Sequence, residues 1–272
     1  MNLESKVILL GTGNPNPDVE RYGPSVAITV GRCVYIIDFG VGVVRRAVQA
    51  EIEVARLTRA FLTHLHSDHT IGYPDLIFTP GVAGRKGPLE VYGPKGLTDM
   101  TRHIMAAYEV DVNERVHGLE PAERSSYIVN THEITEGQVY QDRFVEVEAF
   151  QVDHGSLEAY GYKFVAPNRT IVISGDTSPS QNLVEAAKGC DILIHEVYSV
   201  VGLQSRPQDW QKYHSTVHTS SHELAEIANK VKPSLLVMYH QLLWGRTEEH
   251  LISEVSERYG GEIVSGQDLD IF

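Results

Sequence analysis

The chain has little cysteine. Cys33 and Cys190 are the two present in 272 residues, too few for a disulfide framework or a cysteine-rich zinc module. Each lies in an apolar run, Cys33-Val34-Tyr35-Ile36-Ile37 and Cys190-Asp191-Ile192-Leu193-Ile194. That context reads as a buried free thiol in a reducing compartment. Positive charge is also scarce. Lys plus Arg total 23 against 36 Asp plus Glu, a formal net charge of -13. This balance argues against a broad phosphate-binding face, although a bound cation could still make a small positive site. No apolar stretch nears the roughly 18 residues of a membrane helix. The N-terminus lacks the basic, apolar, small-residue order of a signal peptide. A cytoplasmic protein that does not enter the membrane is expected. Repeats, low-complexity tracts and long linkers are absent, so one domain over residues 1–272 is the economical reading.

What is present is ordinary globular material, 42% hydrophobic and 22% charged. Ser25 to Val30 and Cys33 to Asp38 are β-rich runs split by Gly31-Arg32, a hairpin signal. Further strands are read at Lys6 to Leu10, Arg59 to Thr63, Phe144 to Val152, Tyr160 to Val165, Thr170 to Ser174, Asp191 to His195 and Ser234 to Tyr239. Helical spacing covers Gly96 to Tyr108, Ser180 to Lys188 and Ser221 to Val231, with Ser221 as a cap. Gly81 to Pro88 reads as a loop. The segment from about Glu109 to Thr131 is polar and weakly patterned and takes no assignment. Strands in both halves with helices between them predict an α/β arrangement, two β-rich halves facing each other with helices outside.

The chemistry concentrates in Thr63-His64-Leu65-His66-Ser67-Asp68-His69-Thr70. Three imidazoles and a carboxylate fall within six residues, directly after an apolar strand. Imidazole suits zinc and similar divalent ions, and carboxylate adds a hard oxygen donor. A strand end followed by a tight turn can splay these side chains toward two adjacent points.

His-x-His-x-Asp-His after a buried strand resembles the signature of the metallo-β-lactamase superfamily. Further motifs follow in order: Asp38 after Tyr35-Ile36-Ile37, His154 in Val152-Asp153-His154-Gly155, Asp176 in Ser174-Gly175-Asp176-Thr177, and His240 in Met238-Tyr239-His240-Gln241. The resemblance implies an αβ/βα four-layer sandwich with two facing mixed β-sheets. It also implies two divalent metal ions, zinc first, with Mn2+ or Fe2+ as alternatives. One would take His64, His66 and His154, the other Asp68, His69 and His240, with Asp176 and a hydroxide between them. Asp38 would orient a ligand.

Leu9-Leu10-Gly11-Thr12-Gly13-Asn14-Pro15, Gly23-Pro24-Ser25 and Val91-Tyr92-Gly93-Pro94 resemble the ribonuclease Z and arylsulfatase branch. Ile194-His195-Glu196-Val197-Tyr198 is similar to its His-Glu-Ala-Thr motif, and His218-Thr219-Ser220 to its His-Ser-Thr motif. By that resemblance Glu196 and His218 protonate the leaving oxygen, and Asp68 joins them in the catalytic set. Tyr213-His214-Ser215-Thr216 is a rival for the second motif. The long arm with which ribonuclease Z grips tRNA would fall between His154 and Asp176, and only 22 residues separate them (176 − 154). With the negative charge, this makes nucleic acid an unfavoured partner. The expected activity is therefore hydrolysis of small anionic or polar esters, an aryl sulfate, phosphodiester or phosphotriester. Alternatives are a tRNA 3′ processing endonuclease, a lactone or β-lactam hydrolase, and a non-catalytic metal-binding module. The resemblance leaves a homodimer open. Tyr73, Tyr198, Trp210 and Trp244 are pocket candidates weighed against core packing, and Arg85 and Lys86 are weighed between an anion and a solvated loop.

Overall fold

Strand alternation sorts the side chains into three apolar layers. In β1 (Ser5–Gly11), Val7 and Leu9 join one buried cluster while Ile8 and Leu10 join another. Successive side chains of a strand point to opposite faces, so a strand apolar on both faces must be covered twice. The computed structural model, which describes residues 4–120 and 122–272, shows how. Six strands form one sheet in the order β1, β2 (Ser25–Val30), β3 (Cys33–Ile37), β4 (Arg59–Phe61), β5 (Leu89–Gly93), β6 (Val129–Glu133). Seven form the other: β7 (Gly137–Gln141), β8 (Glu146–His154), β9 (Leu157–Val165), β10 (Thr170–Ile173), β11 (Ile192–Tyr198), β12 (Leu235–Leu242) and β13 (Ile263–Ser265). Both sheets are mixed. The β1–β3 and β7–β10 portions are antiparallel, whereas β3–β6 and β10–β13 run parallel.

The two sheets face each other across Val7, Leu9, Ile28, Phe61, Phe164, Ile173 and Ile194. Helices cover the outer faces. On the first sheet lie α1 (Val43–Gln49), α2 (Ser67–Thr70), α3 (Tyr73–Val82), α4 (Leu97–Ala107) and α5 (Glu109–His117). On the second sheet lie α6 (Gln181–Ala187), α9 (Ser221–Val231) and α10 (Glu248–Ser256), while α7 (Val200–Leu203) and α8 (Gln208–Val217) follow β11 and α8 borders a cavity. This is the expected four-layer αβ/βα sandwich. No helix among the described residues is long and apolar enough to cross a membrane.

Several local expectations need correction. The N-cap of α9 is Ser220, not Ser221. Ser220 and Glu223 form a reciprocal capping box, and Ser221 instead donates to Glu254. The unassigned segment contains α5, a helix with no fully buried residue, whose apolar side is only Val112 and Val116 resting on the core, a stripe too narrow to read. Gly81 lies in the last turn of α3, which ends at Val82, rather than opening a loop. Arg85 is neither solvated nor facing an anion. Its guanidinium is buried and donates to the carbonyls of Leu57, Leu76, Ile77 and Ser126. The chain end completes the first sheet's edge, with Leu9 donating to Asp270 and Phe272 to Val7, which covers backbone groups an edge would expose.

Candidate metal centre and its cavity

The site gathers where strands of both sheets end. Asp38 follows β3, the His64–His69 segment follows β4, and His154 closes β8. Asp176 follows β10, Glu196 lies in β11 and His240 in β12. Asp38, His64, His69, His154, Asp176, Glu196 and His240 are buried, and His66 and Asp68 are partly exposed. His240 reaches the site through a bulge. Glu196 pairs with Tyr239 but Val197 pairs with Gln241, so His240 is left out of the ladder. Its φ is 45°, a left-handed backbone that non-glycine residues adopt at a cost of about 1–3 kcal/mol. The bulge re-aims the imidazole toward the first sheet.

Three ring nitrogens converge. His64 Nε2 lies 3.0 Å from His66 Nδ1, and His154 Nε2 lies 3.2 Å from the same atom. Metal–nitrogen bonds of about 2.0–2.1 Å in a tetrahedron put donor nitrogens about 3.3 Å apart, so the spacing fits one ion. Beside them, His240 Nε2 is 3.2 Å from Asp68 Oδ2, and His69 Nε2 is 3.5 Å from the same oxygen. Asp176 faces both groups, with Oδ1 3.5 Å from His69 Nε2 and Oδ2 3.4 Å from His240 Nε2 and 3.9 Å from His64 Nε2. His69 Nε2 and Asp176 Oδ1 are buried without a hydrogen-bond partner among the described residues. Orphaned polar atoms inside a protein cost free energy, and a cation between them would satisfy both.

The far sides of the rings are fixed. His154 Nδ1 donates to the Val217 carbonyl at 2.8 Å, and His69 Nδ1 lies 2.8 Å from Asp38 Oδ2. Asp38 also accepts from Thr63 N and Thr63 Oγ1, and that hydroxyl is 3.0 Å from His64 Nδ1. Such outer bonds set the tautomer and present the opposite nitrogen to a metal. The electrostatics agree. Burial, then neighbouring imidazoles, hold His64, His66 and His154 below the usual histidine range, in the neutral form that ligates. At Asp176 burial opposes ionisation, but His240, His69 and His64 outweigh it and keep the group well below the usual carboxylate range. His69 is pushed up despite burial by Asp176, Asp38 and Asp68, so those carboxylates make a position suited to positive charge. The donor set suits divalent metal ions.

Glu196 is fully buried. Its Oε1 accepts from Thr177 N and Thr219 N and lies 3.1 Å from His218 Nδ1. That engages Nδ1 and leaves Nε2 of His218 for a ligand. Burial works against a charge on His218, but Glu196, then Asp176 and Asp68, overcome it and raise the group to about 9. His214 has no bond to Glu196. It stands on α8, stacked on the His218 ring at 5.5 Å. A cavity of about 390 Å³ opens over the centre, lined by His66, Asp68, Asp176, His218 and His240 on the cage side. Arg206, Trp210, His214 and Trp244 form its other wall. Trp210 is 49% exposed, so core packing does not explain it, whereas Tyr73 and Tyr198 are buried core residues. Sequence reasoning missed Arg206, which no motif marks, and α8 itself. The signal for α8 was present in Trp210, His214 and His218, spaced four apart.

The model of the Beta-lactamase superfamily domain matches residues 35–241. A protein of Mycobacterium bovis BCG Pasteur named Ribonuclease Z is 30% identical over 271 residues, covering 97% of this chain and 96% of the relative. Among solved structures, the metallo-β-lactamase fold protein YhfI from Bacillus subtilis superposes with a TM-score of 0.78 at 16% identity, covering 98% of each chain. Human tRNase Z, short form, gives 0.74 at 22% identity, again 98% of each chain.

These findings overturn two expectations. The small-ester substrate, aryl sulfate included, and the expectation that nucleic acid is an unfavoured partner both rested on the missing arm and the net charge. β9 and β10 do fill the interval between His154 and Asp176. Yet relatives named Ribonuclease Z are matched over 96% of their own length, which leaves them little room for a long arm either. Net charge, for its part, describes the whole surface and says little about a site that draws its field from bound cations. The chain therefore belongs to the metallo-β-lactamase superfamily, in the branch of the ribonuclease Z proteins, and is a metal-dependent hydrolase.

Proposed function

We propose that this protein is an endoribonuclease that removes 3′ extensions from precursor tRNA. The observation that carries the reading is the end-to-end match to proteins named Ribonuclease Z, together with a buried Glu196–His218 pair beside the cage. We assign one zinc ion to His64, His66 and His154 and a second to Asp68, His69 and His240, with Asp176 shared. The whole chain acts as one catalytic unit, in the cytoplasm with its substrate. When bound there, divalent ions activate water near neutral pH and neutralise phosphoryl oxygens.

The protein's own groups do the rest. Asp38 and the Val217 carbonyl hold His69 and His154 in one tautomer. Asp68 lines the cavity, and its carboxylate would take the proton of the attacking water. His218 gives a proton from Nε2 to the departing ribose oxygen, and Glu196 keeps the imidazole charged and oriented. A leaving alkoxide needs such a proton far more than an acidic phenol does. Incubation of the purified protein with precursor tRNA carrying a 3′ trailer, with mapping of both product ends, tests the reading. A single cut at the trailer junction, lost on chelation and restored by zinc, is expected. Intact precursor with metal bound would overturn it.

A further inference from the structure

The cavity wall facing the cage is lined by aromatic rings. From the cage outward, four rings follow one another at small interplanar angles. His240 to His218 is 6.0 Å and 25°, His218 to His214 is 5.5 Å and 30°, and His214 to Trp210 is 5.6 Å and 25°. Helical spacing builds Trp210 and His214, which stand four apart on α8 and share its face, and His218 is the residue that caps its C-terminus. Trp244 meets His214 from another side at 4.7 Å and 54°. It is held there on a left-handed backbone, φ 45°, strain that the surrounding structure must over-determine. Two tryptophans thus border one cavity, one of them half exposed, and apolar surface of that kind at a site mouth marks a ligand. Two polar groups of the same wall are unfinished. Arg206 Nε and His214 Nδ1 are buried without a partner among the described residues. The volume, about 390 Å³, falls within the ~300–1,000 Å³ of small-molecule sites.

We infer that Arg206, Trp210, His214 and Trp244 form a nucleobase subsite for the nucleotide on the leaving-group side of the scissile phosphate. The inference rests on the nuclease reading above and deepens it. The side follows from His218, which lies between this wall and the cage and serves the leaving oxygen. Stacking on tryptophan accepts any base, because each has a π-face, so the subsite binds without sequence preference. Arg206 supplies a donor to the phosphate or ribose oxygens that accompany the base. A chain of net charge -13 would in this way hold RNA beside its centre by ring contact rather than by a basic surface.

The test pairs precursor tRNA carrying a normal nucleotide at that position with one carrying an abasic nucleotide. Single-turnover cleavage is measured for the wild type and for Trp210→Ala/Trp244→Ala, with thermal unfolding as a check on folding. In the wild type, loss of the base should lower cleavage efficiency about 5- to 150-fold. In the double variant the two substrates should be cut at rates within about twofold of each other, and Trp210→Phe/Trp244→Phe should restore the difference. An equal abasic penalty in wild type and Ala variant, or none in the wild type, overturns the subsite. Should the wild type leave all precursor uncut, the nuclease reading fails by itself. The subsite is then decided by binding of RNA with 2-aminopurine at that position. Fluorescence quenched by the wild type but not by the Ala variant supports it, and unquenched fluorescence with both overturns it.

Discussion

At the residue scale the decisive contact is between His218 and Glu196. Two His-Ser-Thr-like stretches compete in the sequence, and only contact separates them. His218 Nδ1 is 3.1 Å from the buried Glu196 carboxylate, whereas His214 Nδ1 has no partner among the described residues and burial, with His218 and Arg206 nearby, pushes its ring down to about 4. His218→Ala should lower kcat on precursor tRNA about 10²- to 10⁴-fold, the usual share of a general acid. Its effect on an aryl phosphodiester with a nitrophenol leaving group should be much smaller. Steady-state assays on the two substrates decide this, and equal losses would remove His218 from the acid role. The sign of the pH effect follows from the same pair. Raised to about 9, His218 carries its proton at lower pH, and activity should fall as pH rises through that value. Glu196→Gln keeps an oxygen for the Thr177 and Thr219 amides but removes the charge. The alkaline limb of the kcat profile should then move to lower pH.

At the element scale, backbone packing sets where the cage residues stand. Gly23, Gly40 and Gly72 meet without side chains, bringing the turn after β3 against the helix that carries Asp68 and His69. A Cβ on Gly40 would lie 2.7 Å from the Asp68 carbonyl. Gly40→Ala should displace that helix and weaken metal binding about 10- to 100-fold, the range seen when supports behind ligands are lost. Competition with a chromogenic chelator measures it. Arg85 plays a different part. It ties the middle of α3 to the segment before β6 through the carbonyls of Leu76, Ile77 and Ser126. Arg85→Met leaves several of those carbonyls buried without a donor, and should cost about 2–4 kcal/mol. Denaturant unfolding would show this as a lower midpoint, with kcat on precursor tRNA little changed. Neither device is marked in the sequence. A glycine cluster forms from residues far apart in the chain, and an arginine in a Gly-rich stretch resembles a solvated one until its burial is seen.

At the scale of the whole molecule, the cage joins the two sheets. His154, at the end of β8, and His66, after β4, are 88 positions apart in the chain and 3.2 Å apart in space. Metal should therefore stabilise the fold as well as act in it. Removal by a chelator should lower Tm by about 10 °C, and zinc should restore it, since a ligand that binds the folded form adds RT ln(1 + [L]/Kd). Differential scanning calorimetry reads both, and an unchanged Tm would disconnect the cage from stability. The sequence by itself determined the donor types and the strands they follow. Side-chain alternation and buried runs fix strands locally, and imidazole and carboxylate chemistry is a property of the residues. It left the helix α5 unread because only Val112 and Val116 mark its apolar side, and it misjudged the partner by treating net charge as if it described one site. Only the tertiary structure decided which donors share an ion, which histidine meets Glu196, and that an aromatic wall stands opposite. Those depend on two sheets packing face to face around Val7, Phe61, Phe164 and Ile194, and on a one-residue bulge that turns His240 out of its ladder. Such long-range geometry has no local signature, because the packing that creates it is summed over the whole core.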